Sequence, residues 1–192
     1  MGFFEGRPLP PPEPEPARRR RPAWEKPEAM LAGVAPGELL LARSDDAGIA
    51  VSGFRAYPSG FEVTLTVFLR EDDRHGTFFR RLHEPQSDDG IADDFLRFGV
   101  MFADGASATN LGGRHFPRPD VEPERPLLQQ QNGGGGGRRI DVTYWVWPLP
   151  PPGPVTFFCE WPARGVPESR AEIDTQPILD AATRAIQVFP ED

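Results

Sequence analysis

The sequence predicts a mainly β protein: an antiparallel, immunoglobulin-like β-sandwich with one C-terminal helix and a disordered, proline-rich N-terminal tail. Three observations predict this fold class. Short segments of alternating apolar and polar residues recur along the body, turn residues separate them, and helical spacing of apolar residues is confined to the C-terminal end. Parallel βαβ units would need a helix between successive strands, so stacked antiparallel layers fit this pattern best.

The tail is predicted to span residues 1–36, and the folded domain residues 37–192. The tail contains the run PLPPPEPEP, which favours an extended polyproline conformation, and the run RRRR, whose like charges repel one another. Such a segment buries too little apolar surface to fold by itself. Its larger apolar residues are the ones able to dock the tail onto the body: Phe3, Phe4, Trp24, Met30 and Leu31.

The first strands of the body are predicted in the segments LLLAR, IAVSGFRAY and FEVTLTVFLR, which turn residues separate. The third segment has the clearest alternation of the chain, with the period of two that buries one face of a strand. Its core-facing residues are predicted to be Phe61, Val63, Leu65, Val67 and Leu69.

A further strand is predicted in FLRFGVMF, followed by the hairpin turn Asp104-Gly105 and a return strand through Ala106 to Asn110. Long loops are predicted on either side of this hairpin, at residues 71–94 and 111–138. The second loop ends in five successive glycines, which we expect to act as a slack tether, because glycine has little conformational preference.

The last predicted hairpin pairs the strands of residues 140–147 and 155–161, and a helix is predicted at about residues 175–188. In the first strand of this hairpin, alternation assigns Tyr144 and Val146 to the core and Trp145 and Trp147 to the opposite face. The two indoles therefore face outward or lie under a covering loop. An exposed pair would form a platform for stacking on sugars or for contacting a protein, whereas a buried pair would be ordinary core.

Charge and composition exclude several classes of partner. The net charge of −8 argues against nucleic-acid binding through the body, because such binding depends on clustered cations. No segment approaches the ~20 apolar residues of a membrane helix. With one cysteine the chain forms no internal disulfide, which favours a reducing, cytoplasmic environment. Within the tail, Arg18–Arg21 and the proline run are expected to be solvated rather than to form a docking motif.

No catalytic, cofactor-binding or metal-binding residue is predicted. The three histidines, His75, His83 and His115, lack the spacing of a metal site, and the acidic pairs lack that of a calcium loop. Cys159 lies on the inward register of its strand without a base to ionise it, so we expect a core thiol rather than a nucleophile. Trp145 and Trp147 are the predicted binding residues.

Several stretches, among them ARSDDAGIAVSGFRAYPSGFEVTL, LRFGVMFADG and YWVWPLPPPGPVTFFCEWPARGVPESRAE, resemble a family of uncharacterised actinobacterial proteins. The resemblance spans most of residues 38–190. The family has no assigned activity, so the resemblance implies a cytoplasmic, single-domain protein and no catalytic residue.

Three functions remain open. The first is a non-enzymatic interaction or adaptor module that presents the Trp145/Trp147 face, or its tail, to an unknown protein partner. The second is a small-ligand-binding protein or hydrolase with a site built from loops 71–94 and 111–138, because loops on rigid scaffolds often carry function. The third is a structural component of a larger assembly.

Overall fold

The computed structural model describes residues 22–73, 78, 81, 86–87, 90–112 and 121–189. The strands in chain order are β1 (Met30–Leu31), β2 (Gly33–Val34), β3 (Leu39–Arg43), β4 (Ala47–Tyr57), β5 (Gly60–Leu69), β6 (Gln86–Ser87), β7 (Gly90–Ile91), β8 (Arg97–Met101), β9 (Ser107–Thr109), β10 (Leu127–Gly136), β11 (Arg139–Trp147), β12 (Pro154–Trp161), β13 (Val166–Asp174) and β14 (Ile186–Gln187). The described residues also form the helix α1 (Gln176–Ala182) and the short 3₁₀ turns Asn110–Gly112 and Pro162–Arg164.

Two antiparallel sheets make up the body. The larger sheet has the strand order β10-β11-β5-β4-β2, with β3 also paired to β4, and the smaller sheet has the order β13-β12-β8-β9. Two short ladders, β1 with β14 and β6 with β7, lie outside these sheets. The prediction of a mainly β protein with antiparallel pairing is therefore confirmed.

The core lies between the two sheets and draws side chains from both. The ring of Phe98 in β8 lies 5.1 Å from that of Tyr144 in β11, and the ring of Phe54 in β4 lies 6.0 Å from that of Phe157 in β12. The prediction for the inward face of β5 is confirmed, because its five apolar residues are all buried. Period-two alternation identified this face because one side of the strand meets the opposite sheet.

The C-terminal part of the predicted tail belongs to the body. Within residues 22–36, β1 pairs with β14, β2 pairs with β4, and the Ala35 N–H donates to the carbonyl of Phe54. Gly33 packs so closely on α1 that an added Cβ would lie 1.8 Å from the carbonyl oxygen of Ala181. Tertiary contacts thus order a segment whose composition alone favours no structure, and the tail prediction must be corrected for residues 22–36. Residues 1–21 lie outside the described residues.

The prediction of a long loop at 111–138 is wrong for its second half. Residues 127–136 form β10, in which Gly133–Gly136 pair with residues 139–142 of β11, and Gly137 and Arg138 make the turn between the two strands. The Leu69 N–H donates to the Arg138 carbonyl and anchors this turn. Ladder hydrogen bonds join backbone groups and need no side chain, so a neighbouring strand overrides the poor strand propensity of glycine. The glycines are therefore strand and turn residues, not a slack tether.

The predicted bounds of loop 71–94 and of the C-terminal helix agree with the structure only in part. Loop 71–94 contains the short β6–β7 ladder, and most of its other residues between 74 and 89 lie outside the described residues. The helix is shorter than predicted and ends at Ala182, after which Ile186 pairs with Leu31 in the β1–β14 ladder. The N-cap of the helix is Thr175, and the carboxylate of the preceding Asp174 accepts the N–H of Gln176.

Candidate functional site

Trp145 and Trp147 lie on the outer face of the larger sheet, opposite to Tyr144 and Val146, as the alternation predicts. Neither indole is open to solvent, because Trp145 is 0% and Trp147 is 4% exposed. The cover is the segment of residues 22–32, which crosses this face before the chain enters the sheet; we call it the strap. Of the two alternatives that the sequence left open, the structure shows the covered one. Trp145 and Trp147 are therefore not exposed for a partner to contact.

The strap is held by aromatic contacts and one indole hydrogen bond. The Trp145 Nε1–H donates to the carbonyl of Trp24 at 2.8 Å. Trp24 meets Trp147 edge to face with ring centres 6.3 Å apart, and Tyr57 meets Trp145 in the same way at 5.7 Å. The guanidinium of Arg125 lies over the Trp147 ring, 4.7 Å from the ring centre, in a cation–π contact. These contacts form a second apolar cluster beneath the strap.

A buried carboxylate fixes the strap at its centre. Glu62 on β5 is 5% exposed, and its two oxygens have different donors. Lys26 of the strap donates to Oε1 at 2.6 Å, and the Tyr57 hydroxyl donates to Oε2 at 3.1 Å, while Arg55 Nε lies 3.9 Å from Oε2. Burial and, to a smaller extent, the negative charge of Glu62 raise the pKa of Tyr57 to about 12. The hydroxyl therefore stays protonated and donates its hydrogen bond at neutral pH.

A polar cleft opens beside this carboxylate. It has a volume of about 600 Å³, and residues from the strap, β4 and β10 line it. Its lining includes Lys26, Arg55 and Tyr57 as well as Glu25 and Glu28, so charges of both signs are present. The described residues of the cleft offer hydrogen-bonding groups of both kinds, donors and acceptors.

The other candidate residues of the sequence analysis lie partly inside and partly outside the described part of the chain. Cys159 is buried in the core, and burial raises the pKa of its thiol to about 12, so it is no nucleophile at neutral pH. His75, His83 and His115 lie outside the described residues. Within the described part of the chain, no cluster of three or more His, Cys, Asp or Glu side chains has the arrangement of a metal site.

An apolar patch at the end of the larger sheet was missed by the sequence reasoning. The β1–β14 ladder places Leu31 opposite Ile186, and the Val188 N–H donates to the Ala29 carbonyl. The ladder, the adjacent β2 and the following two residues expose large apolar side chains, which we call the apolar patch: Leu31, Val34, Ile186, Val188 and Phe189. Exposed fractions reach 68% at Val34 and 66% at Phe189. No local pattern indicated the patch, because Leu31 and Val34 lie in the predicted tail and Ile186 and Val188 lie in the predicted helix.

A groove crosses the outer face of the smaller sheet above Gly99. Gly99 on β8 lies between Phe158 on β12 and Thr109 on β9, and without a side chain it leaves a depression of about 400 Å³. Ile91, from predicted loop 71–94, and Leu111, from predicted loop 111–138, also line the groove.

Within the described residues, no helix is both long and apolar enough to cross a membrane. The chain matches no protein-family model, and comparisons with curated proteins and with solved structures give no match either. The resemblance to an actinobacterial family therefore stays a prediction.

Proposed function

We propose that this chain is a non-enzymatic interaction module that binds a protein partner through the apolar patch. The patch carries the proposal because large apolar side chains that stay in water are costly, and contiguous apolar surface on a folded protein commonly marks a binding site. Its residues come from β1, β2, β14 and the two residues after β14; β2 pairs with β4 of the larger sheet, and Gly33 of β2 packs on α1. The partner is expected to bring an apolar surface of its own.

The strand order supports an immunoglobulin-like assignment for the scaffold. Order β10-β11-β5-β4 in one sheet and β13-β12-β8-β9 in the other corresponds to the order D-E-B-A and G-F-C-C′ of immunoglobulin-type sandwiches. Such sandwiches serve as rigid supports for binding surfaces in many unrelated proteins. With its single buried thiol, the module is proposed to work in the cytoplasm.

The test compares two exposed phenylalanines. Phe189→Ser removes an apolar side chain from the patch, whereas Phe68→Ser removes an equally aromatic one at the end of β5 that lies away from β2. Proteins cross-linked to the chain in its native cell are identified, and the binding of each purified candidate is then measured by calorimetry. We expect Phe189→Ser to weaken binding about tenfold or more and Phe68→Ser to leave it unchanged. Equal affinities of the wild type and both variants would refute the proposal.

The groove above Gly99 favours a second candidate function, the binding of a small apolar molecule. Phe158, Met101 and Leu111 supply apolar contacts, and Ser107 and Thr109 supply hydroxyl groups at the rim. The predicted loops contribute Ile91 and Leu111, so this groove is the described counterpart of the loop-built site of the sequence analysis.

A library of fluorinated aromatic fragments provides the probe for this groove. We expect fragments to shift the amide resonances of Gly99, Met101 and Phe158, and Thr109→Trp to abolish these shifts by filling the depression. Thr183→Trp, at an exposed threonine outside the groove, serves as the control. Shifts that persist in Thr109→Trp, or that occur only elsewhere on the chain, would exclude the groove as a ligand site.

A further inference from the structure

Asn132 is an exposed residue of β10, and its surroundings suit a reaction with its own backbone. Its amide group forms no hydrogen bond within the described part of the chain. The next residue is Gly133, which has no side chain to hinder access to the peptide nitrogen that joins them. An asparagine side chain and the following peptide nitrogen can close a five-membered ring, so this pair of residues holds both reacting groups of an intramolecular reaction.

The backbone N–H of Gly133 points away from β11. Neighbouring residues of a strand bond alternately to its two sides, and the Leu69 N–H donates to the Arg138 carbonyl on the β5 side of β11. Counting along β11 from Arg138, every second residue therefore bonds to β10, and the partners of these residues are Asn132, Gly134 and Gly136. The intervening Gly133 directs its N–H to the outer edge of β10, where the described residues provide no neighbouring strand.

Ring closure requires Asn132 to leave the extended conformation briefly, and its place in the fold permits this. Among the described strands β10 pairs with β11 alone, and the register of this pair shifts between Gln130 and Asn132, directly before the reacting residues. The five residues after Asn132 are glycines, which adopt conformations outside the strand region at little cost. Local opening of an exposed edge needs much less free energy than global unfolding.

Asn110 provides a matched contrast, because its surroundings oppose the same reaction. The Phe98 N–H donates to its Oδ1 at 2.8 Å, and its Nδ2 donates to the Leu96 carbonyl at 2.9 Å, so the amide group is held on both sides. The following nitrogen belongs to Leu111, and its N–H donates to the Thr109 hydroxyl at 3.4 Å. The sequence has no third asparagine, so every conversion belongs to one of these two residues.

We propose that Asn132 is a site of spontaneous deamidation. The Gly133 nitrogen gives its proton to water or hydroxide and attacks the side-chain carbonyl carbon of Asn132. The Cγ–Nδ2 bond breaks, and the nitrogen leaves as ammonia with a proton taken from water. Water then opens the cyclic imide at either carbonyl and gives aspartate or isoaspartate at position 132. The reaction does not involve the apolar patch, so it does not depend on the proposed function.

Both products change the outer edge of β10. Each adds one negative charge, and isoaspartate also adds one carbon atom to the main chain between residues 132 and 133. The added atom displaces Gly134 and Gly136 from their partners on β11, because a ladder requires both strands to keep the same spacing. The isoaspartate form should therefore lose the glycine end of β10 and keep the pairing of β11 with β5.

The first experiment incubates the purified full chain at neutral and at mildly alkaline pH, and peptide mass spectrometry follows both asparagines. We expect the peptide that contains Asn132 to gain the mass difference between a hydroxyl and an amino group, partly as isoaspartate. Conversion should be faster at the higher pH, because a larger fraction of the attacking nitrogen is deprotonated. The peptide that contains Asn110 should stay unchanged over the same time.

Two variants test the reacting groups. Asn132→Gln keeps an amide but requires a six-membered ring, and Gly133→Val crowds the peptide nitrogen while favouring a strand. We expect each variant to slow the conversion about tenfold or more, which corresponds to a barrier about 1.4 kcal/mol higher. Gly136→Ala, at an unhindered position beyond the reacting pair, should convert at the wild-type rate. Far-UV circular dichroism checks that each variant is folded.

Amide hydrogen exchange tests the direction of the Gly133 N–H. We expect this amide to exchange faster than those of Gly134 and Gly136, which donate to β11 in the ladder. After conversion, the isoaspartate form should also exchange rapidly at Gly134 and Gly136, whereas β5 should stay protected.

Several outcomes would overturn the proposal. They are an Asn132 that converts only in the urea-denatured chain, equal conversion of Asn110 and Asn132, and variants that convert at the wild-type rate. A Gly133 amide protected as well as that of Gly134 would contradict the geometry behind it. Phe189→Ser should convert like the wild type, so loss of partner binding in that variant and loss of deamidation are separate results.

Discussion

Trp145→Ala is expected to lower the free energy of unfolding by about 3–5 kcal/mol, the range observed when a large buried aromatic side chain is truncated. The indole has no exposed surface, and it supports Tyr57 by an edge-to-face contact and the strap through its bond to Trp24. Removing it leaves a cavity and an unbonded Trp24 carbonyl beneath the strap. Urea denaturation followed by far-UV circular dichroism measures the loss, because the other tryptophans complicate fluorescence.

Phe68→Ala is the matched control for this measurement. Phe68 is also an aromatic residue on the outer face of the larger sheet, but it is 43% exposed and lies beyond the strap. Its truncation should cost less than about 1 kcal/mol. Equal losses in the two variants would show that the strap does not bury Trp145. The expected effect also means that Trp145→Ala reports on folding, so it cannot test partner binding.

Alkaline pH is expected to destabilise the protein strongly between about pH 9 and pH 12. Burial raises the pKa of Tyr144 and of Tyr57 from 10.0 to about 12, and that of Cys159 from 9.0 to about 12. In this interval the unfolded chain loses protons that the folded chain retains, so the free energy of unfolding falls as the pH rises. The contribution of each group is fully present below its unfolded pKa and is lost as the pH passes its folded pKa.

Each titrating group contributes a slope of about 1.4 kcal/mol per pH unit within its own interval. Tyr144→Phe should remove one such contribution and flatten the dependence above pH 10. The variant loses the hydrogen bond between the Tyr144 hydroxyl and Asn110. It should stay folded at neutral pH, because the Asn110 side chain keeps its hydrogen bonds to the backbone of Phe98 and Leu96. Urea denaturation at several pH values between about 8 and 12 measures both slopes. A stability independent of pH in this range, or the same slope in wild type and variant, would contradict the expected burial.

The covered aromatic cluster changes where a partner is sought. The sequence analysis placed the most distinctive side chains, Trp145 and Trp147, at the binding surface. In the structure, the strap takes the position that a partner would occupy, and Lys26 of the strap supplies the counter-charge to Glu62. Among the described residues, the apolar patch stays exposed, and Leu31 at the end of the strap contributes to it.

The sequence predicts those features of the fold that depend on the alternation of apolar and polar residues within a single strand. Alternation placed the apolar residues of β5 in the core and Cys159 on the inward side of β12, and both placements are confirmed. Alternation also separated Trp145 from Tyr144, because neighbouring residues in a strand point to opposite faces. These statements need only the backbone geometry of one strand.

The sequence by itself therefore determined the strands with a clear pattern, among them β4, β5, β8, β11 and β12, and the faces of β5, β11 and β12 that turn inward, but not the strands β10 and β13. The tertiary structure decided whether the outer face is covered, since Trp24 and Trp145 meet across a separation of 121 residues. It also decided that the glycines of β10 are a strand, because β11 supplies their hydrogen-bond partners. The alternation of apolar and polar residues depends on a strand's own sequence. A segment that covers the strand, or a strand that pairs with it, comes from elsewhere in the chain and does not change that alternation.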